Sequence, residues 1–132
     1  IMKEIFNANK ERFKKVKVEI PEGFHISTTV KGISCSYTHG HMSGGPGGNP
    51  ENKIENWWKG QMYGFLPAGD SKILVTAHYH HFRAKQQGDR TWFQCGSLDK
   101  SIDFTERTGL WSHPGVLTFT INAKGWDNLK IL

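Results

Sequence analysis

The chain is poor in cysteine and has no long apolar run. Its 132 residues include only Cys35 and Cys95, without a C-x-x-C pair. We therefore expect two buried free thiols, and neither a zinc knuckle nor a thioredoxin-type site. No stretch approaches the ~20 apolar residues of a membrane span, and none matches the apolar core of a signal peptide. We expect a cytoplasmic protein without membrane contact, and Ile1 before Met2 suggests a tag remnant or a piece of a longer chain.

Acidic residues are also scarce relative to basic ones. Asp and Glu number 12 against 17 Lys and Arg, which gives a formal net charge of +5. This balance suits a polyanionic partner such as nucleic acid, and an ordinary basic surface explains it equally well. The length fits one domain over 1–132, without an internal repeat or boundary.

Hydrophobic periodicity indicates two helices in the first half of the chain and strands in both halves. Apolar spacings of three and four predict helices over 2–13 and 51–65, where Trp57 and Trp58 are expected to belong to the core. Residues 82–88 read as a turn and 96–113 as irregular. The predicted strands cover 16–20, 24–30, 33–38, 72–76, 91–95, 116–121 and 128–132, and Lys31-Gly32 is expected to join the second and third in a tight hairpin.

Five histidines follow two of these strands. His39 and His41 come after 33–38, and His78, His80 and His81 come after 72–76. A strand, a helix and a strand in succession predict adjacent parallel strands, whose carboxyl ends share the sheet edge where ligands bind. In extended backbone, His78 and His80 would also share one face. Imidazole binds zinc, iron, manganese, nickel and copper, so the pattern predicts a metal site.

The segment from Met42 to Pro50 is rich in glycine and proline and follows the first histidine pair. We expect it to form a loop that closes over the site, and it is not a phosphate-binding P-loop because no Gly-Lys-Ser/Thr follows. The basic residues Lys59, Arg83 and Lys85 are candidate phosphate contacts.

Oxygen ligands are harder to find than nitrogen ligands. Three histidines alone could form a mononuclear site with one open position, whereas a dinuclear hydrolase also needs a bridging carboxylate. Asp70, Asp99 and Asp103 do not stand at the end of an apolar strand. A mononuclear histidine enzyme on a small β-barrel is another alternative, but the first acid after His41 is Glu51.

Two motifs resemble a known family. Thr38-His39-Gly40-His41 and Thr76-Ala77-His78-Tyr79-His80-His81 resemble the two histidine blocks that close the calcineurin-like metallophosphoesterase superfamily. From about Val16 onward the chain is similar to phage-encoded members, which are similar to DNA-repair exonuclease phosphatases. Further likeness lies in Trp57–Gln61, Ser97–Asp99, Thr108–Gly115 and Gly125–Leu129.

The resemblance implies a fold and a ligand set. The fold would be α+β or α/β, the C-terminal half of a four-layer αββα sandwich. The complete site would bind two divalent ions (manganese, iron or zinc). His39 and His78 would bind one ion and His80 the other. His41 and His81 would orient ligands from outside the first coordination sphere or contact phosphate.

The family's three earlier motifs do not occur in this sequence. Asp-x-His, Gly-Asp-x-x-Asp and Gly-Asn-His-Asp/Glu supply the bridging Asp, the Asn ligand and the catalytic His. We therefore expect no catalytic residue in this chain, and we expect an N-terminal half-chain to carry the missing Asp, Asn and His ligands. Ala77 stands where the family has Gly, and Asp99-Lys100-Ser101 departs from the family's Asp-Gly-Gly-Ser-like segment.

The implied function is metal-dependent hydrolysis of a phosphodiester or phosphomonoester, with nucleic acid as the expected substrate. The chain would be a fragment or one subunit of a split enzyme, in the bacterial host cytoplasm if it is phage-encoded. The alternative is a non-catalytic assembly or binding module left from such an enzyme.

Overall fold

The computed structural model describes residues 2–43, 48–100, 102–109 and 111–132. Three helices are interspersed among seven strands in these residues. No helix among the described residues is both long and apolar enough to cross a bilayer. The elements are α1 (Met2–Ala8), β1 (His25–Val30), β2 (Ile33–Thr38), α2 (Pro50–Tyr63), β3 (Ile73–Thr76), β4 (Arg83–Gln87), β5 (Arg90–Gln94), α3 (Ile102–Thr108), β6 (Leu117–Asn122) and β7 (Gly125–Ile131).

A five-stranded mixed sheet in the order β1-β2-β3-β5-β4 forms the centre of the fold. The three inner strands are parallel, with Thr38 opposite Thr76 and Thr76 opposite Gln94. Antiparallel hairpins form both outer pairs, β1 with β2 and β4 with β5. The predicted crossover through α2 is therefore confirmed, and the carboxyl ends of β2, β3 and β5 lie at one edge.

The sheet is covered on both faces by apolar side chains. On one face Ile33, Cys35, Ile73 and Phe93 are buried beneath the β6–β7 hairpin. On the other face Ile54 from α2 packs with Leu74 and Trp92, and Trp57 and Trp58 join this cluster. The expectation that the two tryptophans belong to the core is confirmed. The arrangement is a layered α+β fold of helix, mixed sheet and hairpin, as the sequence predicted, and its central sheet is open, with β1 and β4 at the edges.

Helix α2 begins where local chemistry requires it. The side chain of Asn49 accepts a hydrogen bond from the backbone N–H of Glu51 at 2.8 Å, and Pro50 occupies the first turn, where its missing N–H costs nothing. The helix ends two residues before the predicted limit, at Tyr63. The predicted hairpin turn is also confirmed, since Lys31 and Gly32 have φ of 51° and 82°.

Two predictions near the amino terminus are wrong. The first helix ends at Ala8 instead of Phe13, because a short helix with a half-exposed Ile5 gains little packing to sustain it. Residues 16–20 form no strand: Val16, Val18 and Ile20 alternate as a half-buried strand would, yet within the described ranges no strand pairs with them.

The sequence also misjudged three segments in the second half. Residues 83–87 form β4, an edge strand. Its side chains are mostly polar and exposed, so it lacks the apolar alternation that normally marks a strand. Residues 102–108 form α3 within the segment read as irregular. β7 begins at Gly125, so Trp126 lies in the strand and not in the predicted turn. Both thiols are free, as expected, although only Cys35 is fully buried.

Gly69 and Gly60 make a matched pair for testing the packing of α2. A Cβ at Gly69 would lie 2.5 Å from the carbonyl oxygen of Gln61 and 2.7 Å from Met62 Cα, both of which are backbone atoms. We expect Gly69→Ala to lower the free energy of unfolding by about 1–3 kcal/mol, because the backbone of α2 would have to move. Urea denaturation measures this loss.

The control substitution has the opposite sign. Gly60 lies inside α2, and a Cβ added there would meet no described atom within 4 Å. We expect Gly60→Ala to raise the free energy of unfolding by ~0.5–1 kcal/mol, because alanine loses less conformational entropy in a helix. Equal effects of the two substitutions would contradict the tight approach at Gly69.

Candidate functional site

His39 and His78 meet at the edge formed by the ends of β2 and β3. The Nε2 atom of His39 lies 3.2 Å from the Nδ1 atom of His78, and the ring centroids are 5.0 Å apart. The backbone N–H of Ala77 donates to the carbonyl oxygen of His39, which ties the two strand ends together. Side chains separated by 39 residues in sequence are therefore in contact because the two strands are parallel neighbours.

The backbone after β3 is bent and not extended. His78 and His80 have φ of 71° and 56°, in the left-handed region that residues with a Cβ rarely adopt. The N–H of Tyr79 donates to the carbonyl oxygen of Ala77 at 2.9 Å. The expectation that His78 and His80 share one face of an extended strand is therefore wrong, because β3 ends at Thr76. Strained backbone of this kind persists where surrounding contacts impose it, often at functional sites.

The other histidines are distributed unequally around this pair. The ring of His41 lies 5.1 Å from that of His39 and 6.0 Å from that of His78, so three imidazoles form a cluster. His80 is near enough to affect the protonation of His78. His81 contributes its carbonyl oxygen to a hydrogen bond from Nε2 of Gln94 at 2.8 Å, which connects this loop to β5.

Burial lowers the pKa of His78 below its ordinary value, and the charges of His39, His41 and His80 lower it further. Both effects disfavour the charged imidazolium form of His78. A neutral imidazole keeps a lone pair, which is the form that binds a metal ion.

The His39–His78 pair fits one metal ion. Two nitrogens that each lie about 2.1 Å from an ion, at 90–110° to one another, are separated by roughly 3.0–3.4 Å. The observed 3.2 Å falls in this range. Among the described residues, however, no three His, Cys, Asp or Glu side chains are placed to hold an ion. The histidine cluster therefore does not by itself form a three-ligand site in the part of the chain that the structure describes.

Gly40 brings the first histidine loop close to the helix and to the second loop. Its φ is 91°, and an added Cβ would lie 3.2 Å from Cδ1 of Ile54 and 3.6 Å from the carbonyl oxygen of Ala77. Ser43 is buried and its hydroxyl donates to the carbonyl oxygen of Gly40. Residues 44–47, the centre of the predicted closing loop, lie outside the described residues.

Two of the predicted phosphate contacts are already engaged by carboxylates. Arg83 donates to Glu51 Oε2 at 2.6 Å, and Lys85 pairs with Glu51 at 3.1 Å and with Glu55. These hydrogen bonds raise the pKa of Lys85. The sequence signal for this contact was the Glu51–Glu55 spacing of one helical turn, which puts both carboxylates on one face of α2. Lys59 is the one of the three candidates that takes no part in these ion pairs.

Comparisons with known proteins give a likeness of fold. No protein-family model matches the chain, and no curated protein matches it. Solved structures do match, each at low sequence identity. Vps29 from Entamoeba histolytica complexed with Zn²⁺ is 18% identical with a TM-score of 0.54, over 86% of this chain and 62% of that chain.

Two further structures extend this result. A single-mutant form of the same Vps29 is 15% identical with a TM-score of 0.56, over 86% of this chain and 64% of that chain. A predicted phosphoesterase from Streptococcus pneumoniae is 15% identical with a TM-score of 0.47, over 76% of this chain and 48% of that chain. The chain spans less than two thirds of each of these structures. By its fold, the chain is similar to part of the Vps29 structures.

Proposed function

We propose that this chain is the histidine-bearing half of a metal-dependent phosphoesterase. The observation that carries the proposal is the 3.2 Å contact between Nε2 of His39 and Nδ1 of His78, at the joint end of two parallel strands. A pair of imidazole nitrogens at this separation can supply half of a tetrahedral ligand set. The fold likeness to a Vps29 that was solved with zinc supports the same reading.

In this proposal, His39 and His78 hold one ion and His80 reaches the second. When bound, the two ions (manganese, iron or zinc) supply Lewis acidity toward a phosphoryl oxygen. His41, at 5.1 Å from His39, orients the first pair or contacts a phosphate oxygen. The carbonyl of His81 holds the loop that carries His80, through its hydrogen bond from Gln94.

The missing ligands come from an N-terminal half-chain in this proposal. Carboxylate and amide ligands must complete the site, because the described residues lack a group of three. Exposed apolar side chains at the start of the chain and beside β1 (Val16, Val18, Ile20, Phe24 and Val30) offer a surface that an additional layer could cover. The substrate is a phosphate ester, with nucleic acid favoured by the net charge of +5.

Reconstitution tests the proposal. The chain would be co-expressed with the reading frame immediately upstream, if that frame encodes Asp-x-His and Gly-Asn-His-Asp, and assayed with Mn²⁺ and bis(p-nitrophenyl) phosphate. We expect the two chains to co-purify and to hydrolyse the diester only together. A stable pair that binds Mn²⁺ and never cleaves the diester or the matching monoester would overturn the enzymatic reading.

A second candidate is a non-catalytic assembly module. The observation that favours it is again the absence of a three-ligand cluster among the described residues. Such a module would co-purify with the same partner through the same apolar surface. It is distinguished by its indifference to Mn²⁺, since removal of metal with EDTA would leave the complex and its stability unchanged.

A further inference from the structure

A groove on the α2 face of the sheet is a candidate ligand site. It has a volume of about 260 Å³ and lies between the second half of α2, the edge strand β4 and β5. This volume is close to the lower end of the ~300–1,000 Å³ typical of small-molecule pockets. None of the histidines that follow β2 and β3 lines it.

The floor of the groove is aromatic, and its polar atoms are already satisfied. Trp92 is almost fully buried, and its indole N–H donates to Oγ1 of Thr76 at 2.9 Å. The indole N–H of Trp58 donates to the carbonyl oxygen of Ala68 at 2.9 Å. Trp92 is only 2% exposed and contributes almost no accessible surface, so the half-buried Trp58 supplies the carbon surface of the groove, and Met62 and the largely exposed Tyr63 extend it. Such a surface accepts a flat apolar body without leaving a buried donor unpaired.

The rim of the groove carries two available positive charges. Arg90 stands 5.8 Å from the ring centroid of Trp58 and donates one N–H to the carbonyl oxygen of Gly69, which leaves further donors. Lys59 is exposed on the same rim. In the part of the chain that the structure describes, neither cation has an ion-pair partner, whereas Lys85 and Glu55 on this rim neutralise each other.

We propose that this groove binds a small aromatic anion: a flat ring system that lies against Trp58 while its single negative group meets Lys59 and Arg90. Charge complementarity selects the anion, because the carboxylate that the described lining contains, Glu55, is already paired. The proposal is independent of the metal site and of phosphoester hydrolysis.

Naphthalenesulfonate is a suitable probe, followed by NMR through the indole N–H signals of Trp58 and Trp92. We expect saturable shifts of both signals, and at least about tenfold weaker binding of the neutral analogue naphthalenemethanol. Lys59→Gln should weaken the sulfonate severalfold, and the Lys59→Gln, Arg90→Gln pair at least about tenfold. Lys14→Gln and His78→Ala should leave it unchanged, because neither residue lines the groove.

Two affinity results would overturn the proposal. One is equal affinity for the charged and the neutral probe, and the other is a sulfonate affinity that Lys59→Gln does not change. Arg90 also supports the backbone at Gly69, so its substitution can disturb the fold. The Lys59→Gln variant alone keeps the test decisive, because that exposed side chain can be shortened without touching the core. The proposal also fails if the sulfonate shifts neither indole signal.

Discussion

His78→Ala should weaken binding of a divalent ion by the isolated chain at least about 100-fold, since loss of a group that merely supports a ligand already costs 10–100-fold. His78 is one of the two imidazoles whose nitrogens lie 3.2 Å apart, and the rings that would remain, His39 and His41, have centroids 5.1 Å apart and make no such close contact between described nitrogens. Titration with Co²⁺ measures the affinity, and the visible spectrum reports nitrogen ligation.

The matched control for this variant is His113→Ala. The ring of His113 packs against Trp111 at 5.9 Å, and its Nδ1 lies 2.9 Å from the carbonyl oxygen of Pro114, outside the histidine cluster. We expect the same Co²⁺ affinity as in the unmodified chain. If His113→Ala and His78→Ala lose affinity equally, metal binding does not depend on the strand-end pair.

Phe93→Ala should lower the free energy of unfolding by about 3–5 kcal/mol. Phe93 is fully buried in β5, and its ring lies 4.8 Å from that of Phe119 and 4.9 Å from that of Trp126. Its removal leaves a cavity between the central sheet and the β6–β7 hairpin, which is held in place chiefly by such contacts. Denaturant unfolding followed by tryptophan fluorescence measures the loss.

Phe65→Ala is the control for the same residue type. Phe65 is 96% exposed, so its truncation removes little buried surface and should change the free energy of unfolding by less than ~0.5 kcal/mol. A small effect of Phe93→Ala, similar to that of Phe65→Ala, would mean that the hairpin is not packed on the sheet as described.

The sequence was most informative where burial and local chemistry agree. Apolar spacing over 51–65 predicted α2, and the apolar runs of β2 and β3 fit inner strands that are buried on both faces. Their parallel pairing follows from the intervening helix, and this places His39 beside His78. The juxtaposition that matters most was therefore predictable without any coordinates.

The segments that were misread depend on tertiary context. β4 is polar because only one of its edges is paired, so alternation could not reveal it. Val16, Val18 and Ile20 alternate as a strand does but have no paired strand among the described residues, because periodicity reports a tendency and not the presence of a neighbour. The left-handed backbone at His78 and His80 has only a weak sequence signature, since histidine adopts that region more often than most residues with a Cβ but does not require it.

The ion pairs between α2 and β4 have a consequence for conditions of handling. Glu51 lies in the first turn of α2, and its ion pairs with Arg83 and Lys85 connect that turn to the outer strand β4. The Debye screening length is about 8 Å at 0.15 M ionic strength and falls to about 3 Å at 1 M, so concentrated salt weakens ion pairs between partly exposed charges. Higher ionic strength should therefore weaken the attachment of the start of α2 to the sheet. Ile54 would then hold Gly40, beside the imidazoles, less rigidly.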